Sequence, residues 1–386
     1  MSLKTVVHVY DYLHPHKGGP PQVILNLAKA QRAQGLEIRL ISIDADEPEV
    51  IDFIKRELGE LPPIFVLKPR GLRPLWSRSI LQRALYDAST VHLHSIWPTP
   101  NLYVAHYCLQ KGIPYLLSVH GHLRPEALAI KPFKKKVGLA LGYRAMLDGA
   151  KIIHALNESE AKDVERFGLS TQVNVIPNGV SPERFMELPK REVLDQAIPD
   201  LADAPYLIFL SRIHPPKGAG RLAKAFVKLS QEYPELHLVV AGSDFGGIDE
   251  IKDIIGEGTL QKRVHFPGFL GGHIKNAALS HAVAFCLPSD HEGFSVAVLE
   301  ALAWGVPTVI STGCHFPEVA EVGAGWVHEL NVASLYDTLS GVLSSPHQSQ
   351  KVAKRGQAWT LEHFSWSQIE RTYAELYDQM MRSEQG

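Results

Sequence analysis

Residues 289–311, SDHEGFSVAVLEALAWGVPTVIS, decide the fold class. A polar loop in this segment separates an apolar run, AVAFCLP (282–288), from a helical stretch of small and apolar residues, and the β-branched run VPTVIS (306–311) follows. Strand, helix and strand in this order predict parallel strands joined by a crossover helix. Two glutamates, Glu292 and Glu300, interrupt the apolar pattern. Because burying a bare charge is costly, each must be paired or exposed at a cleft.

The same alternation of short β-branched runs and longer helical patterns extends along the chain. Strands that are continuously apolar and separated by helices are typical of parallel sheets covered on both faces. The runs form two series, which predict two doubly wound α/β domains. The runs of the first series are residues 5–10, 37–43, 90–96, 114–120, 151–156 and 173–177, and those of the second are 206–211, 236–242, 263–268, 282–288 and 306–311.

A linker separates the two series. Residues 174–185, NVIPNGVSPERF, concentrate proline, asparagine and glycine, and such clusters mark loops. We therefore assign residues 1–178 to the first domain and 179–365 to the second. The last segment, residues 366–386, has the spacing of an amphipathic helix, and we expect it to pack back on the first domain.

Composition and charge exclude several classes of protein. At 386 residues and a formal net charge of -2, the chain is long enough for two cores and has no global attraction to nucleic acid. Three cysteines far apart, Cys108, Cys286 and Cys314, argue against a disulfide framework. The N-terminal sequence has the pattern of a strand rather than a signal peptide, and no apolar run reaches membrane-spanning length. We expect a cytoplasmic protein.

Ligands of parallel α/β sheets bind beyond the carboxyl ends of the strands, so the residues after each strand are the candidates for a site. After the first strand, HPHKGGPP places Gly18 and Gly19 before a predicted helix. Paired glycines allow the backbone to approach a ligand closely, and a helix N-terminus favours an anion. Taken alone, the pair fits a tight strand-to-helix turn better, because the usual dinucleotide-binding spacing is absent.

Histidines follow two strands of the first domain. His120 is at a strand tip, where it can bond a sugar hydroxyl or a phosphate, or be a satisfied structural residue. HLH (92–94) and HGH (120–122) together raise the question of zinc. Alternate residues share a face only along a continuous strand, and no acidic or cysteine ligand lies close in sequence. We therefore predict no metal site.

In the second domain, the strand at 206–211 leads into RIHPPKGAG (212–220). Arg212 and Lys217 place two cations around a Pro-Pro turn just before a predicted helix. Arginine can hold phosphate oxygens bidentately and lysine acts as a point charge, so the two suit a diphosphate. The alternative is an ordinary solvated basic turn.

The glutamates of the opening segment lie beyond another strand of this domain. Glu292 and Gly293 form the loop, and the helix is predicted to begin near Phe294 and Ser295. A nucleotide sugar along this helix start would place its diphosphate over the helix N-terminus, its sugar by Glu292 and its ribose by Glu300. Alternatively, Glu292 favours the helix dipole and Glu300 pairs with a neighbouring cation.

Several segments together carry a family resemblance. They are GGPPQVILNLAKA, IPNGV, RIHPPK, and EGFSVAVLE followed by ALAWGVPTVIS, and in this order they cover essentially the whole chain. The sequence resembles the GT-B glycosyltransferases of family 4, the group 1, glycogen-synthase-like enzymes. The resemblance implies two Rossmann-like domains that face a cleft. Residues 1–178 with the returning C-terminal helix (366–386) would form an acceptor domain, and residues 179–365 a nucleotide-sugar donor domain.

The resemblance implies a role for each candidate side chain. Glu292 would contact hydroxyls of the donor sugar, and Glu300 would hold the ribose. Arg212 and Lys217 would bind the diphosphate, and His120 would lie beside the reacting sugar.

Other donor contacts implied by the resemblance are made by the backbone. Gly18 and Gly19 match a glycine loop near the donor phosphate and the acceptor. Amides around residues 293–295 would assist in binding the diphosphate. Gly268 and Phe269 lie where the family reads the base.

The implied reaction is retaining hexosyl transfer without an essential metal or a cofactor, with UDP-sugars, UDP-glucose among them, as expected donors. Departure of the nucleoside diphosphate develops negative charge, at which Arg212, Lys217 and a helix N-terminus would be directed. His120 belongs to the first domain, whereas Arg212, Lys217 and Glu292 belong to the second. We therefore also expect closure between domains to assemble the site.

One short motif is typical of a different class of glycosyltransferase. IDADEPE (43–49) contains the D-x-D of metal-dependent glycosyltransferases of the other major fold, at Asp44 and Asp46. It follows the second strand, far from the diphosphate residues, and we interpret it as a solvated loop.

The acceptor is a glycan or a lipid-linked molecule on this interpretation. KPFKKKVGLALGYRAML (131–147) combines four lysines, three of them at 134–136, with an apolar helical stretch. This segment could dock on anionic lipid, which would place the protein peripherally at the inner face of the membrane. A solvated helix face is the alternative. No nucleic-acid partner is expected.

Two other classes of function compete with a transferase. A sugar-nucleotide epimerase or hydrolase of the same fold would turn over donor without acceptor. A non-catalytic nucleotide-sugar-binding module would be marked by loss of the arginine, lysine or glutamate positions, and Arg212, Lys217, Glu292 and Glu300 are all present.

Overall fold

The structure, a computed structural model, describes residues 4–15, 19–68 and 78–382. It divides the chain into two compact units: unit 1 is Met1–Gly179 with Trp366–Gly386, and unit 2 is Val180–Ser365. The division falls where Gly179 meets Trp366 of the same unit. A Cβ atom at Gly179 would lie 2.7 Å from the indole ring, so a side chain there would push the C-terminal helix away.

All described strands belong to two parallel sheets. Those of unit 1 are β1 (Thr5–Val9), β2 (Glu37–Ser42), β3 (Ile64–Val66), β4 (Thr90–His94), β5 (Tyr115–Ser118), β6 (Ile152–Ala155) and β7 (Gln172–Val175). Those of unit 2 are β8 (Tyr206–Leu210), β9 (His237–Ala241), β10 (Val264–Gly268), β11 (Ala284–Leu287), β12 (Thr308–Ser311) and β13 (Trp326–His328).

Helices connect the strands. In unit 1 they are α1 (Gly19–Ala33), α2 (Pro48–Leu58), α3 (Arg78–Ala84), α4 (Thr99–Lys111), α5 (Pro125–Ala129), α6 (Pro132–Gly138), α7 (Arg144–Asp148) and α8 (Glu158–Arg166), with a π-helical turn at Leu139–Tyr143. In unit 2 they are α9 (Arg191–Ala197), α10 (Ala219–Glu232), α11 (Ile248–Ile255), α12 (Gly272–Ser280), α13 (Val296–Ala303), α14 (Glu318–Glu321), α15 (Val332–Ser344) and α16 (Pro346–His363). The last helix, α17 (Trp366–Arg382), returns to unit 1.

The two sheets share one strand order over six strands, and the sheet of unit 1 has a seventh strand at its edge. The order is β3-β2-β1-β4-β5-β6-β7 in unit 1 and β10-β9-β8-β11-β12-β13 in unit 2. In each sheet the order reverses beside the first strand, between β1 and β4 and between β8 and β11. Loops diverge at this switch point, which is where open α/β sheets bind ligands.

The apolar strands explain why each sheet is covered on both faces. In β1, Val6 and Val7 point to opposite sides and belong to different core clusters. Helices α1, α2 and α17 contribute to the cluster around Val6, and α3, α4 and α7 to the one around Val7. The predicted doubly wound α/β architecture is confirmed.

Two described strands have no counterpart in the sequence prediction, β3 and β13. Each has three residues and lies at the edge of its sheet. All three residues of β3 are apolar, but the run is only three residues long, directly follows two prolines and is half-buried, so it lacks the length and burial of a central strand. Within the described ranges, no helix is both long and apolar enough to cross a bilayer.

Candidate functional site

Three loops at the carboxyl ends of neighbouring strands in unit 2 are bonded to one another. The loop after β8 accepts a hydrogen bond at Pro216 O from the amide of Asp290, which follows β11, at 2.8 Å. The amide of Glu292 donates to Gly313 O, in the loop after β12, at 2.9 Å. The switch point between β8 and β11 is therefore a connected, hydrogen-bonded surface.

Two glycines make this close approach possible. A Cβ atom at Gly218 would lie 1.9 Å from Pro288 O, and one at Gly313 would lie 2.3 Å from Ser289 O. Gly218 also has a φ of +79°, in the left-handed region that glycine favours. Larger residues at either position would force the loops apart.

Lys217 and Glu292 meet at this switch point. Lys217 Nζ lies 2.7 Å from Glu292 Oε1, and the side chains are only 16% and 10% exposed. The structure thus joins two residues that are 75 positions apart in sequence. The ion pair satisfies the requirement that a largely buried carboxylate be compensated.

Arg212 lies on the same loop as Lys217 but in a different environment. Its side chain is exposed, and its guanidinium lies 5.7 Å from the centre of the Phe245 ring. Among described residues, no carboxylate comes within the 4.0 Å of an ion pair with Arg212. The arginine is therefore supported by an aromatic face and keeps its charge uncompensated.

Glu300 is also paired, with a lysine that sequence reasoning missed. Lys275 Nζ, on α12, lies 2.5 Å from Glu300 Oε1, and the carboxylate side chain is 13% exposed. This is the neighbouring cation of the alternative interpretation of Glu300. A lysine on a preceding helix has no local sequence signal that marks it as the partner.

The helix between the glutamates begins as expected from its sequence. Ser295 is the N-cap of α13, and its Oγ accepts a hydrogen bond from Val298 N at 3.4 Å. The Phe294 ring packs 4.8 Å from the ring of Phe316. Gly293 and Phe294 are half-buried, so the helix start is held by packing as well as by the cap.

Gly268 and Phe269 lie at the end of β10. Gly268 has a φ of +75°, and its carbonyl accepts a hydrogen bond from Gly242 N at 2.8 Å. The Phe269 side chain is 56% exposed. The end of β10 thus combines a left-handed backbone position with an exposed aromatic ring.

In unit 1, His120 follows β5 in a strained conformation. Its φ is +46°, which is uncommon for a residue other than glycine. Its Nε2 atom is buried without a hydrogen-bond partner among the described residues. Burial lowers the pKa of His120 to about 3, so the imidazole is neutral near pH 7. Gly19 is the first residue of α1 and is exposed, whereas Gly18 lies outside the described residues.

Next to His120, unit 1 contains a chain of buried polar side chains that sequence analysis did not predict. It begins at the carbonyl of Ile176, which can only accept, so His154 Nε2 donates to it at 2.7 Å. His154 Nδ1 must then accept from Ser118 Oγ, and Ser118 Oγ from His92 Nε2, both at 2.7 Å. His92 Nδ1 in turn accepts from the Tyr377 hydroxyl at 3.0 Å. A neutral imidazole has one donor and one acceptor, which fixes each tautomer.

The series of hydrogen bonds continues from Tyr377 of α17, through α1, to β1. Gln31 Nε2 donates to the Tyr377 hydroxyl at 3.1 Å, and Gln31 Oε1 accepts from His8 Nε2 at 2.7 Å. His8 Nδ1 then accepts from His94 Nε2 at 3.0 Å. The chain ends at His94 Nδ1, a buried acceptor without a partner among the described residues. Burial lowers the pKa of His8 and His154 to about 4, and it lowers the pKa of His92 and His94 well below the ordinary range.

Ring nitrogens of His8, His92 and His94 lie within 4.8 Å of one another, which is a distance compatible with a metal ion. The rings of His92 and His94 are stacked with centroids 3.9 Å apart. Both nitrogens of His92 and of His8 already make the hydrogen bonds described above. A metal ion would have to break that chain. Neither histidine of the HGH sequence (120–122) belongs to this group, and His122 Nδ1 bonds Ser95 Oγ at 3.0 Å.

The prediction of a solvated loop at the D-x-D sequence is wrong for its first aspartate. Asp44 is buried, and its carboxylate accepts hydrogen bonds from Leu13 N at 2.9 Å and His14 N at 3.0 Å. Asp46 is exposed and bonds Lys68 at 2.6 Å. Asp44 therefore shapes the loop after β1, and the two carboxylates do not share one environment.

Two family models match the chain. The model described as glycosyltransferase family 4 matches residues 17–184, and the model described as glycosyl transferases group 1 matches residues 191–359. Between them, they cover every described strand except β1.

Individual proteins show the same similarity. The chain is 23% identical over 381 residues to the GDP-mannose:cellobiosyl-diphosphopolyprenol alpha-mannosyltransferase of Xanthomonas campestris, covering 96% of both chains. It is 26% identical over 221 residues to the GDP-mannose-dependent alpha-(1-6)-phosphatidylinositol monomannoside mannosyltransferase of Mycolicibacterium smegmatis, covering 54% of this chain and 57% of the relative. Its fold is similar to that of Anabaena HepE in complex with UDP-glucose, with a TM-score of 0.78 at 18% identity over 97% of this chain and 99% of the other.

Proposed function

Because the chain belongs to the group 1 glycosyltransferases of family 4 and has the GT-B fold, we propose that it transfers a sugar from a nucleotide-diphosphate donor to a glycan or lipid-linked acceptor. We further propose that the transfer retains the anomeric configuration and requires neither a metal ion nor a cofactor. The observation that carries the proposal is the Lys217–Glu292 ion pair at the switch point of unit 2, with Arg212 exposed on the same loop.

The cations of the loop after β8 suit a leaving diphosphate. Arg212 has no carboxylate partner among the described residues, so its N–H donors can engage phosphate oxygens bidentately. Negative charge that develops as the glycosidic bond breaks would be stabilised by Arg212, by Lys217 and by the amides at the start of α13. In a retaining reaction on one face of the sugar, a departing phosphate oxygen can take the proton of the acceptor hydroxyl.

Each paired glutamate still has acceptor positions at which it can bind hydroxyl groups. Each lysine contact uses one carboxylate oxygen, Oε1 in both Glu292 and Glu300, and an ionised carboxylate has about four acceptor positions. We assign the sugar hydroxyls to Glu292 and the ribose hydroxyls to Glu300. His120, neutral near pH 7, would bond a hydroxyl of the reacting sugar.

We propose a UDP-sugar as the donor, with UDP-glucose the first to test. The UDP-glucose complex of the Anabaena protein supports a uridine donor, whereas both mannosyltransferases are named for GDP-mannose. A GDP-sugar is therefore the second candidate. The base would contact the backbone at Gly268 and Phe269.

The proposed acceptor is lipid-linked, on the pathway to an envelope polysaccharide. The names of the two mannosyltransferases specify a diphosphopolyprenol-linked and a phosphatidylinositol-linked acceptor. Such an acceptor would require the enzyme to work at the cytoplasmic face of a membrane, and residues 131–147 are the segment that we propose contacts it.

Binding of the donor is tested by calorimetry. We expect UDP or GDP, and the corresponding glucose or mannose donors, to bind the wild type, and Glu300→Gln to weaken binding at least tenfold, since hydrogen bonds to charged groups are worth about 1.5–3 kcal/mol. Glu321→Gln, at an exposed position of α14, is the control. Folded protein that binds no nucleotide would overturn the proposed function. Equal binding by Glu300→Gln would remove only the ribose assignment.

Product analysis distinguishes the alternatives. With donor and a lipid-linked acceptor, a transferase forms a new glycosidic bond, whose anomeric configuration NMR spectroscopy compares with that of the donor. An epimerase or hydrolase would consume donor in the absence of any acceptor, and a binding module would leave the donor intact. Inversion at the anomeric carbon, or loss of activity in chelator that manganese restores, would contradict the corresponding part of the proposal.

A further inference from the structure

One surface of unit 1 exposes large apolar side chains in close succession along the chain. Phe133 is 79% exposed, Leu141 74%, Ile130 65% and Val137 41%. Single exposed apolar residues are ordinary, but a contiguous group of them marks an interaction site.

The local helix places three of these side chains on one side. Phe133 and Val137 are four residues apart on α6, and Leu141 follows four residues later in the π-helical turn that continues it. Residues four apart on a helix lie above one another. The three therefore form an apolar stripe along the exposed side of the helix.

Lysines flank this stripe. At about 100° per residue, Lys134 and Lys136 project to its two sides, while Lys135 projects to the opposite side of the helix. The contacts agree, because Lys135 Nζ donates to Ala127 O and lies 5.4 Å from the Trp97 ring, whereas Lys134 and Lys136 are exposed. Lys135 thus fixes the helix to unit 1, and the other two lysines remain at the surface.

The charge of the segment is of one sign. From residue 127 to residue 147 the sequence contains Lys131, the three lysines 134–136 and Arg144, and no aspartate or glutamate. Arg144 is paired with Asp148 at 2.8 Å. The surface is therefore a local positive patch on a chain whose net charge is -2.

The stripe continues into an apolar groove. Leu141 also lines a groove of about 410 Å³ beside α4 and α7, together with Leu102, Tyr103, Tyr107 and Leu109. Leu109 is 46% exposed. The apolar area available to a partner therefore extends beyond the helix itself.

We propose that Phe133, Val137 and Leu141, with Lys134 and Lys136, form a docking face for a bilayer that contains anionic lipid. Apolar side chains on the exposed side of a surface helix and lysines on its flanks match the hydrocarbon boundary and the phosphate layer of such a membrane. The inference deepens the proposed function, on which its biological purpose rests, by specifying the surface at which a lipid-linked acceptor is met.

The test is flotation of the full chain with vesicles of phosphatidylcholine alone and vesicles that also contain about 30% phosphatidylglycerol, a composition chosen to supply negative surface charge. We expect binding only to the anionic vesicles, and weaker binding in 0.5 M salt than in 0.05 M, since salt screens the lysines. No donor or acceptor is added. Failure to bind vesicles would therefore overturn this inference and leave the proposed transferase activity unaffected.

Matched variants locate the face. Lys134→Glu/Lys136→Glu is expected to reduce the vesicle partition coefficient by on the order of 25-fold or more, taking roughly fivefold per lysine lost. Its control, Lys224→Glu/Lys262→Glu, makes the same change of charge at exposed positions of unit 2 and is expected to bind as the wild type does.

The apolar part is tested in the same way. Phe133→Ser/Leu141→Ser is expected to lower binding at least tenfold without loss of thermal stability, because both side chains are already exposed. Met186→Ser/Leu188→Ser, at positions that are 81% and 66% exposed in unit 2, is the control. Equal binding to neutral vesicles, or unchanged binding by both unit 1 variants, would show that this face does not dock on an anionic membrane.

Discussion

At the level of single residues, the candidate donor site combines two kinds of cation. Lys217 is largely withdrawn from water and paired with Glu292, whereas Arg212 is exposed and supported by Phe245. The first contributes to the stability of the loops as well as to the site. Arg212 does not contribute to the stability of the loops in this way. Substitutions of Lys217 and Arg212 should therefore differ in their effects on stability and activity.

The ion pair predicts a large effect of removing one partner. Lys217→Ala leaves the Glu292 carboxylate uncompensated, and we expect the free energy of unfolding of unit 2 to fall by about 3 kcal/mol, as for other largely buried pairs. Lys217→Met/Glu292→Gln should recover most of this loss, because neither partner then carries a charge. Urea denaturation of the two variants provides the measurement. If the double variant were no more stable than Lys217→Ala, the unpaired charge of Glu292 would not be the cause of the lost stability.

For Arg212 we expect the opposite result, a small effect on stability and a large effect on activity. Because its side chain is exposed, Arg212→Ala should change the free energy of unfolding by no more than about 0.5 kcal/mol, while kcat/KM for transfer should fall by about a hundredfold or more. Arg212→Lys keeps the charge but loses bidentate geometry and should recover activity only in part. Lys224→Ala, at an exposed position of α10, should leave both quantities unchanged. A stability loss equal to that of Lys217→Ala would contradict the distinction.

At the level of secondary structure elements, α17 is connected to the sheet of unit 1 by its polar as well as its apolar side. Its apolar residues, including Ile369, Leu376 and Met380, pack in the same core as α1 and α2. Its Tyr377 hydroxyl links Gln31 of α1 to His92 of β4. The helix is therefore fixed in rotation as well as in position.

The role of Tyr377 predicts the effect of removing one oxygen atom. Tyr377→Phe leaves His92 Nδ1 without its donor and Gln31 Nε2 without its acceptor, both buried, and should lower the free energy of unfolding of unit 1 by about 2 kcal/mol. Tyr336→Phe removes an exposed hydroxyl bonded to Glu232 and should cost little. Thermal unfolding of the two variants measures the difference. Equal melting temperatures would show that the buried chain contributes nothing.

The central strands and the connecting helices could be predicted from sequence because each carries its own local pattern. The pairing of elements could not. His8 and His92 occupy paired positions of β1 and β4, but no local signal places them side by side, and Tyr377 reaches His92 from 285 residues away. The same limit applies to the candidate site. Lys217 and Glu292 could be identified as candidates because they lie in recognisable motifs. Lys275 could not, because its pairing with Glu300 depends on how α12 packs.

At the level of the whole molecule, both units bury histidines, and unit 1 buries more of them than unit 2. Burial lowers the pKa of three histidines of unit 2, His237, His265 and His328. It lowers the pKa of six histidines of unit 1, His8, His92, His94, His120, His122 and His154. Below about pH 6.5 the unfolded chain protonates these histidines but the folded unit does not, so the stability of unit 1 falls as the pH falls. Each histidine contributes about 1.4 kcal/mol per pH unit between its unfolded and folded pKa values.

Two carboxyl groups of unit 1 act in the opposite direction. Burial raises the pKa of Glu160 and of Glu370, and a carboxyl group with a raised pKa binds its proton more readily in the folded state. Its contribution to stability is present at low pH and is lost as the pH rises through the folded pKa. Six histidines outnumber two carboxyl groups, so the net effect of acid on unit 1 between pH 6.5 and about pH 4 is destabilising.

The ligand should therefore act on unit 2, and acid mainly on unit 1. A donor nucleotide bound through Lys217, Arg212 and Glu300 would stabilise unit 2 by about 2.7 kcal/mol at a hundred times its Kd, whereas a change from pH 7 to pH 5 should destabilise unit 1. Hydrogen exchange followed by mass spectrometry resolves the two effects by segment. We expect nucleotide to slow exchange in β8 and α13, and acid, after correction for the intrinsic rate, to accelerate it in β1, β4 and α17. Acid effects concentrated in unit 2 would show that the buried histidines of unit 1 do not govern the pH dependence, because the proton linkage would then have to arise from groups of unit 2 such as His237, His265 and His328.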